Sequence, residues 1–254
     1  MNGFGIEFLG LPGSGKSTLA NRLIQGLGHA EAPRVTVRTA GREALRQRLR
    51  ASSAPFTRLL MYAAGAALLR GVYPATKYEI AAYNAFCLGH PDLTLAALRA
   101  INRTTTDGTR REQAAKLWFK HCARYQLIND HWGSPRDVLA PEGFFQKAIT
   151  LFISDAPPVP ELIDAYVANA PMPAVLVVTA VDPAVALQRL HERQRQPPLA
   201  GVTHQQQLDT LRSWAKLQDH LSNMATAGGV EVIMIDAGQP LADNQRLLAR
   251  RLGA

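Results

Sequence analysis

Short apolar runs alternate along this chain with longer segments whose apolar residues recur at helical spacing. The short runs lie at residues 4–9, 138–140, 174–179 and 230–235. Runs of this length and composition predict strands that are buried on both faces, as in parallel sheets. Because strands and helices alternate, the pattern predicts an α/β fold with a doubly wound parallel sheet.

The segment after the first run has the period of an amphipathic helix. Its apolar residues are Leu19, Ala20, Leu23, Ile24 and Leu27, with Gly28 as the predicted end. A second short strand is predicted at residues 35–37, which places Arg38 and Arg42 just beyond its carboxyl end. Ligands gather at that edge of a parallel sheet, so these arginines are either contacts for an anionic ligand or ordinary surface residues.

Residues from 55 to about 130 follow a helical pattern without a convincing strand, and we expect a helical insert there. Its most apolar part is the eleven-residue stretch 59–69. A membrane-spanning helix needs about twenty apolar residues, so this stretch predicts a buried helix and no membrane segment. Further helices are predicted at residues 78–88, 93–101 and 109–128.

The loop between the first strand and the first helix has the sequence GLPGSGKST. It fits the pattern G-x-x-x-x-G-K-[ST] of a phosphate-binding loop, or Walker A motif, in the strand-loop-helix context that the motif requires. Its glycines let backbone amides point inward, and the following helix presents its positive end to phosphate. The motif predicts a bound nucleoside triphosphate, held by Gly10, Pro12, Gly13, Ser14, Gly15, Lys16, Ser17 and Thr18.

Three side chains near this edge of the predicted sheet have expected chemical roles. Lys16 brings a cation to the β- and γ-phosphates, and Ser17 offers a hydroxyl ligand for Mg²⁺. Glu142 follows the strand at residues 138–140 and should therefore lie beside the loop. We expect it to orient Mg²⁺ through water, to take a proton from an attacking hydroxyl, or to do both. An ordinary loop glutamate is the alternative, and Gln146 is expected to share its helix face.

An arginine-bearing helix is predicted after the next strand. Asp182 and Pro183 suit its cap and first helical residue, and Arg189 and Arg193 follow four positions apart. Residues from about 182 to 204 are expected to form a lid whose arginines neutralise charge on a transferred phosphoryl group. A solvated basic helix is the alternative.

Composition adds expectations about partners and compartment. The chain has 254 residues, is 47% hydrophobic and carries a formal charge of +8, with a pI near 9.9. The basic residues are dispersed without interleaved aromatics, so a nucleic-acid partner is disfavoured but kept open. Cys87 and Cys122 lack metal-ligand spacing and are expected to be free thiols. With no leader pattern at the N-terminus, these features predict a cytoplasmic protein.

Together these features resemble the nucleoside and nucleotide kinase group of phosphate-loop proteins, especially its thymidylate-kinase-like members. The resemblance covers about the first thirty residues and most of the chain after Asp137, and the middle hundred residues do not match. It rests on the loop at residues 10–18, on Glu142-Gly143, on Val181-Asp182-Pro183 leading to Arg189-Leu190 and Arg193, and on Ile235-Asp236-Ala237. Pro141-Glu142 departs from the Asp-Glu or Asp-Arg pair that related kinases commonly have.

The resemblance implies phosphoryl transfer from ATP, with Mg²⁺, to a small acceptor. It assigns Lys16 and Ser17 to the phosphate and Mg²⁺ contacts, Arg189 and Arg193 to the lid, and the loop near Ala237 to the adenine. We expect one domain over residues 1–254 that acts on a hydroxyl or phosphate of a nucleotide, a sugar or a similar molecule. A nucleotide-dependent regulatory ATPase and a nucleic-acid end kinase are the alternatives, and the oligomeric state is open.

Overall fold

Five strands form the centre of the molecule in the computed structural model, which describes residues 3–26, 35–52, 75–104, 108–132, 138–152, 159–192 and 203–253. The strands are β1 (Ile6–Gly10), β2 (Val35–Thr36), β3 (Val138–Ala140), β4 (Val175–Ala180) and β5 (Glu231–Asp236). Every residue of β1 and β3 is buried, as are the middle residues of β4. This burial matches a sheet that is covered on both faces.

Helices surround the sheet, and several begin at residues that suit a helix start. Asp182 Oδ1 accepts a hydrogen bond from Ala184 N at 2.8 Å, and Thr203 forms a capping box with Gln206. The described helices are α1 (Lys16–Gly26), α2 (Val37–Ser52), α3 (Ala75–Gly89), α4 (Pro91–Thr104), α5 (Gly108–His131), α6 (Phe144–Phe152), α7 (Pro160–Asn169), α8 (Pro183–Glu192), α9 (His204–Ala227) and α10 (Leu241–Arg251).

The sheet has the strand order β2-β3-β1-β4-β5, and every described pair of neighbours is parallel. β1 lies in the middle, where Glu7 is in register with Ala140 on one side and with Leu176 on the other. Since all strands run in one direction, their carboxyl ends share one edge of the sheet. The loops that follow β1, β3 and β4 therefore meet at that edge.

The two faces of the sheet carry separate hydrophobic cores. On one face Ile6 and Phe8 of β1 pack with residues of α1 and α10, among them Leu248. On the other face Leu9 packs in a larger core built by the remaining described helices, with Phe144 of α6 near its centre. Helices on both faces make the sheet doubly wound, which confirms the predicted α/β fold of a phosphate-loop protein with a helical insert.

The prediction for the second strand is partly wrong. Val37 is not in the strand but begins α2, and its side chain is buried. Ala40 and Ala44 are buried as well, so the helical period of this segment prevails over the local preference of β-branched residues for strands. Arg38 and Arg42 still follow the carboxyl end of β2, as predicted, but they lie on the exposed side of α2.

Several sequence predictions lie outside the described residues. These are the predicted helix end at Gly28, the apolar stretch at residues 59–69 and Arg193. The extent of the single domain, the lid at residues 182–204 and the cytoplasmic location stay predictions. Among the helices that the structure describes, none is both long enough and apolar enough to cross a membrane.

Candidate functional site

The loop between β1 and α1 has the backbone shape of an anion-binding nest. Gly13 and Gly15 have φ angles of 87° and 86°, in the left-handed region that glycine enters without steric cost. The loop ends where α1 begins at Lys16, so the positive end of the helix faces the space that the loop encloses. This combination of a glycine-rich loop and a helix N-terminus is suited to binding phosphate oxygens.

Neighbouring elements press directly on the glycines of the loop. A Cβ atom at Gly10 would lie 2.2 Å from Thr179 Oγ1, and one at Gly13 would lie 2.5 Å from the carbonyl oxygen of Ala186 in α8. Ser14 Oγ is 2.7 Å from Thr179 Oγ1, in a buried hydrogen bond. The loop is therefore held between the end of β4 and α8, and both contacts require glycine.

The polar side chains that follow the loop glycines differ in exposure. Lys16 Nζ donates hydrogen bonds to the carbonyl oxygens of Gly10 and Leu11, at 2.7 and 2.9 Å. Its ammonium group therefore curls back over the loop. Ser17 and Thr18 are exposed in the first turn of α1, whereas Pro12 is half-buried in the loop.

Glu142 follows β3 at the same edge of the sheet. Its Oε2 atom is 2.8 Å from Lys147 Nζ, and the Glu142 side chain is 63% exposed while that of Lys147 is only 11% exposed. Partial burial favours the neutral acid, but the charges of Lys147, Lys16 and Arg124 outweigh this effect and hold the pKa of Glu142 below its ordinary value. Glu142 is therefore a carboxylate at neutral pH.

Arg124 of α5 reaches this region because α2 gives it room. A Cβ atom at Gly41 would lie 3.0 Å from Arg124 Cγ, so the side chain of Arg124 passes closely over the glycine. The charge of Arg124 acts on both Glu142 and His121. The positive charges of Lys16, Arg124 and Lys147 thus all act on one ionised carboxylate, which leaves an excess of positive charge at this edge.

Glu7 is a second carboxyl group near the site, and the sequence analysis overlooked it. It lies in β1, is fully buried, and its Oε2 accepts a hydrogen bond from Phe145 N at 3.1 Å. Burial raises the pKa of Glu7 from 4.5 to about 8, although hydrogen bonds from the backbone of Phe145 and Phe144 oppose the shift. A single acidic residue inside an apolar strand directly before the loop is the signal that would have identified it.

Arg189 belongs to α8, the helix that packs on the phosphate-binding loop at Gly13. Its Nη2 atom donates a hydrogen bond to the carbonyl oxygen of Ala237 at 3.0 Å, so the arginine is joined to the turn after β5. Ala186, one helical turn earlier, is the residue that packs on Gly13. Arg193 lies outside the described residues, so only Arg189 of the two predicted lid arginines is placed.

The donor groups present are suited to Mg²⁺ but do not form a protein cage. The described part of the chain has no group of three or more His, Cys, Asp or Glu side chains that could hold a metal ion. Mg²⁺ in nucleotide sites keeps several waters and uses few protein ligands besides phosphate oxygens. The exposed hydroxyl of Ser17 and the ionised Glu142 supply hard oxygen donors of that kind.

Comparison with known proteins gives only distant likenesses. No protein-family profile matches the sequence, and no curated protein matches it. Solved structures similar to this chain include deoxyadenosine kinase from M. mycoides with bound dCTP, at 12% identity and a TM-score of 0.45 over 98% of both chains. The same enzyme with the products dCMP and a flexible dCDP has 12% identity and a TM-score of 0.44 over 98% of both chains.

A third structure, of that kinase with bound dATP, has 14% identity and a TM-score of 0.42 over 98% of this chain and 99% of the other. All three TM-scores are below 0.5, so these likenesses carry no information on the chemistry of this chain. The chemistry of this chain is therefore inferred from its own residues.

Proposed function

We propose that this chain is a kinase that uses ATP and Mg²⁺ to phosphorylate a hydroxyl or phosphate group of a small molecule. The observation that carries the proposal is the conformation of the loop at residues 10–18. Gly13 and Gly15 are both left-handed, Lys16 is folded over the loop, and α1 begins at its end. This arrangement supports the binding of a triphosphate through backbone amides, an ammonium group and a helix N-terminus.

Different residues of the loop are proposed to bind different parts of the ATP donor and its Mg²⁺. In this proposal Lys16 exchanges its two carbonyl partners for the β- and γ-phosphates, where a cation offsets far more charge. Ser17 contributes its hydroxyl to Mg²⁺, which when bound neutralises charge between the phosphates. Gly10, Pro12, Gly13, Ser14, Gly15 and Thr18 complete the phosphate-binding set.

Glu142 is proposed to orient the reacting groups. Its lowered pKa keeps it ionised but makes it a weak base at neutral pH. Phosphoryl transfer depends mainly on positioning and charge stabilisation, and it needs little base strength because the transition state is loose. Glu142 therefore suits an outer contact to hydrated Mg²⁺, or a hydrogen bond to an acceptor hydroxyl, better than strong proton abstraction.

The arginines and Lys147 are proposed to stabilise negative charge during transfer. The charges of Arg124, which lies in the helical insert, and of Lys147 in α6 both act on Glu142, and we place the acceptor on the side of the insert. Arg189 acts from the opposite side, near the loop glycines and the proposed adenine contact at Ala237. Preorganised cations on both sides of the transferred group are an arrangement that lowers the barrier to phosphoryl transfer. A role for Arg193 stays a prediction.

Product analysis tests the proposal. The protein is incubated with Mg²⁺, a metabolite extract and ATP labelled on its γ-phosphate, and labelled organic molecules are separated from inorganic phosphate. We expect the label in an organic small molecule. Label found only as inorganic phosphate would support the regulatory ATPase instead, and label on added oligonucleotide ends would support the nucleic-acid kinase.

A further inference from the structure

The first turn of α6 is joined to β1 by two buried hydrogen bonds that run in opposite directions. Phe145 N in the helix donates to Glu7 Oε2 in the strand at 3.1 Å. Gly10 N at the end of the strand donates to Gln146 Oε1 in the helix at 3.0 Å. Because the two bonds attach the helix at two heights along β1, the helix cannot slide along the strand without breaking one of them.

The carboxyl group of Glu7 occupies the space that a side chain at Gly143 would fill. A Cβ atom at Gly143 would lie 1.9 Å from Glu7 Cδ and within 2.3 Å of both carboxyl oxygens. Gly143 precedes the first residue of α6 and has no side chain to cap the helix. Glu7 therefore serves as the acceptor for a free amide of the first turn, which is the task of a local N-cap residue in most helices.

Capping α6 with a fully buried carboxyl group has a free-energy cost. Glu7 is fully buried, and its Oε1 has no hydrogen-bond partner among the described residues. A buried polar atom without a partner destabilises a fold. An apolar residue here would avoid that cost but would leave the amide of Phe145, at the start of α6, without its acceptor. The carboxyl group at this position, directly before the phosphate-binding loop, is therefore tied to the place where α6 begins.

Glu142 lies just before the first turn of α6, which the two hydrogen bonds hold against β1. It is separated from α6 only by Gly143, and it pairs with Lys147 of the first helical turn at 2.8 Å. Gly10, the partner of Gln146, is the first residue of the loop proposed to hold ATP. The two hydrogen bonds thus connect the loop that would hold the donor to the carboxylate that would orient the reaction.

We propose that Glu7 is a positioning residue, which together with Gln146 sets the place of Glu142 relative to the phosphate-binding loop. This role rests on the proposed kinase function. Glu7 touches neither donor nor acceptor; it acts through the amide of Phe145 and the short connection to Glu142. Loss of this support leaves the ATP loop with its own contacts but lets Glu142 shift, which lowers the rate of transfer more than ATP binding.

The test compares Glu7→Ala and Glu7→Gln with the wild type. A glutamine oxygen still accepts the Phe145 amide, so we expect Glu7→Gln to keep kcat within about threefold. We expect Glu7→Ala to lower kcat by about 10- to 100-fold, the range for a displaced catalytic group, with less than about threefold change in KM for ATP. Hydrogen exchange in peptides covering residues 143–147 should become faster in Glu7→Ala and stay slow in Glu7→Gln.

Leu248→Ala is the matched control, because Leu248 is fully buried in the core on the opposite face of the sheet. It should lower stability while leaving kcat and the exchange of residues 143–147 unchanged. If Glu7→Ala does not fold, Gln146→Ala breaks the same connection from the helix side and should lower kcat by about tenfold or more.

Three results would overturn the role of Glu7. They are an unchanged kcat in the folded Glu7→Ala variant or its Gln146→Ala substitute, unchanged exchange at the start of α6, and an equal loss of kcat in Leu248→Ala. A wild-type protein that transfers phosphate to no acceptor would overturn the kinase function and this role together. Transfer by the wild type with an insensitive Glu7→Ala variant would overturn this role alone.

Discussion

As the pH rises toward neutrality, the wild type should lose stability relative to the Glu7→Gln variant. In the folded chain burial raises the pKa of this carboxyl to about 8, whereas its ordinary value is 4.5. The folded state therefore keeps the proton in a range where the unfolded chain releases it. The stability that the neutral acid contributes is complete below pH 4.5 and is lost as the pH rises through about 8.

The size of the effect follows from these two pKa values. Each pH unit over which only the unfolded state loses the proton changes the free energy of unfolding by about 1.4 kcal/mol. Between pH 5.5 and 7.5 the wild type should lose about 2.5 kcal/mol relative to the glutamine variant, which does not titrate. For a chain of this length the corresponding difference in unfolding temperature is about 5 to 10 °C.

Chemical unfolding of both proteins at a series of pH values between 5.5 and 7.5 measures this difference. The titratable groups whose pKa values Glu7 affects are Tyr125 of α5 and Tyr166 of α7, and the buried His121 lies on the same helix as Tyr125. They are present in both proteins, so their contributions to the pH dependence cancel in the comparison. Burial lowers the pKa of His121 well below its ordinary value, and it raises the pKa values of both tyrosines further above their ordinary value of 10.

Glu142→Gln is the control for this experiment. Despite partial burial, the charge of Lys147 and other nearby cations hold the pKa of Glu142 below its ordinary value of 4.5, so it is ionised in both states above pH 5.5. Its substitution should change stability by the same amount at every pH in the series. A Glu7→Gln difference that is also constant with pH would refute the reasoning, since it would mean that Glu7 has no raised pKa.

Three further predictions concern the loop and its neighbours. Gly13→Ala should weaken ATP binding more than Gly15→Ala in a titration: both residues have positive φ, at a cost of about 1–2 kcal/mol for alanine, but only Gly13 faces a carbonyl oxygen at 2.5 Å. Equal losses would count against packing of α8 on the loop. Thr179→Val should lower the free energy of unfolding by about 1–3 kcal/mol, because it leaves the buried Ser14 hydroxyl without its partner; no change in a denaturant series would contradict this. Glu142→Gln should lower the transfer rate more than ATP affinity, and equal losses would argue against a role in transfer.

The elements around the loop could be predicted because their signals are local. The glycines and Lys16 occupy fixed positions in a short motif, and the apolar run before them identifies β1 without reference to any other part of the chain. The place of Glu142 at the same edge followed from the direction of parallel strands, which is a property of the fold class.

Contacts between distant segments could not be predicted in this way. Glu7 and Phe145 are 138 positions apart, and Ser14 and Thr179 are 165 apart, so no window of sequence contains both partners. Val37 shows the opposite difficulty, since its local preference favours a strand while its burial against the core favours the helix. In each case tertiary packing decided what local propensity could not.

The dependence of phosphoryl transfer on Lys16 tests the central claim most directly. Wild type and Lys16→Ala, matched for folding by their unfolding curves, are given Mg²⁺, ATP labelled on the γ-phosphate and the same metabolite extract. Because Lys16 is partly exposed and its ammonium group donates to the carbonyl oxygens of Gly10 and Leu11 within its own loop, we expect its loss to leave the fold intact. We expect label in an organic small molecule with the wild type and none with the variant. Equal labelling by both proteins would contradict the assignment of this loop as the site of transfer.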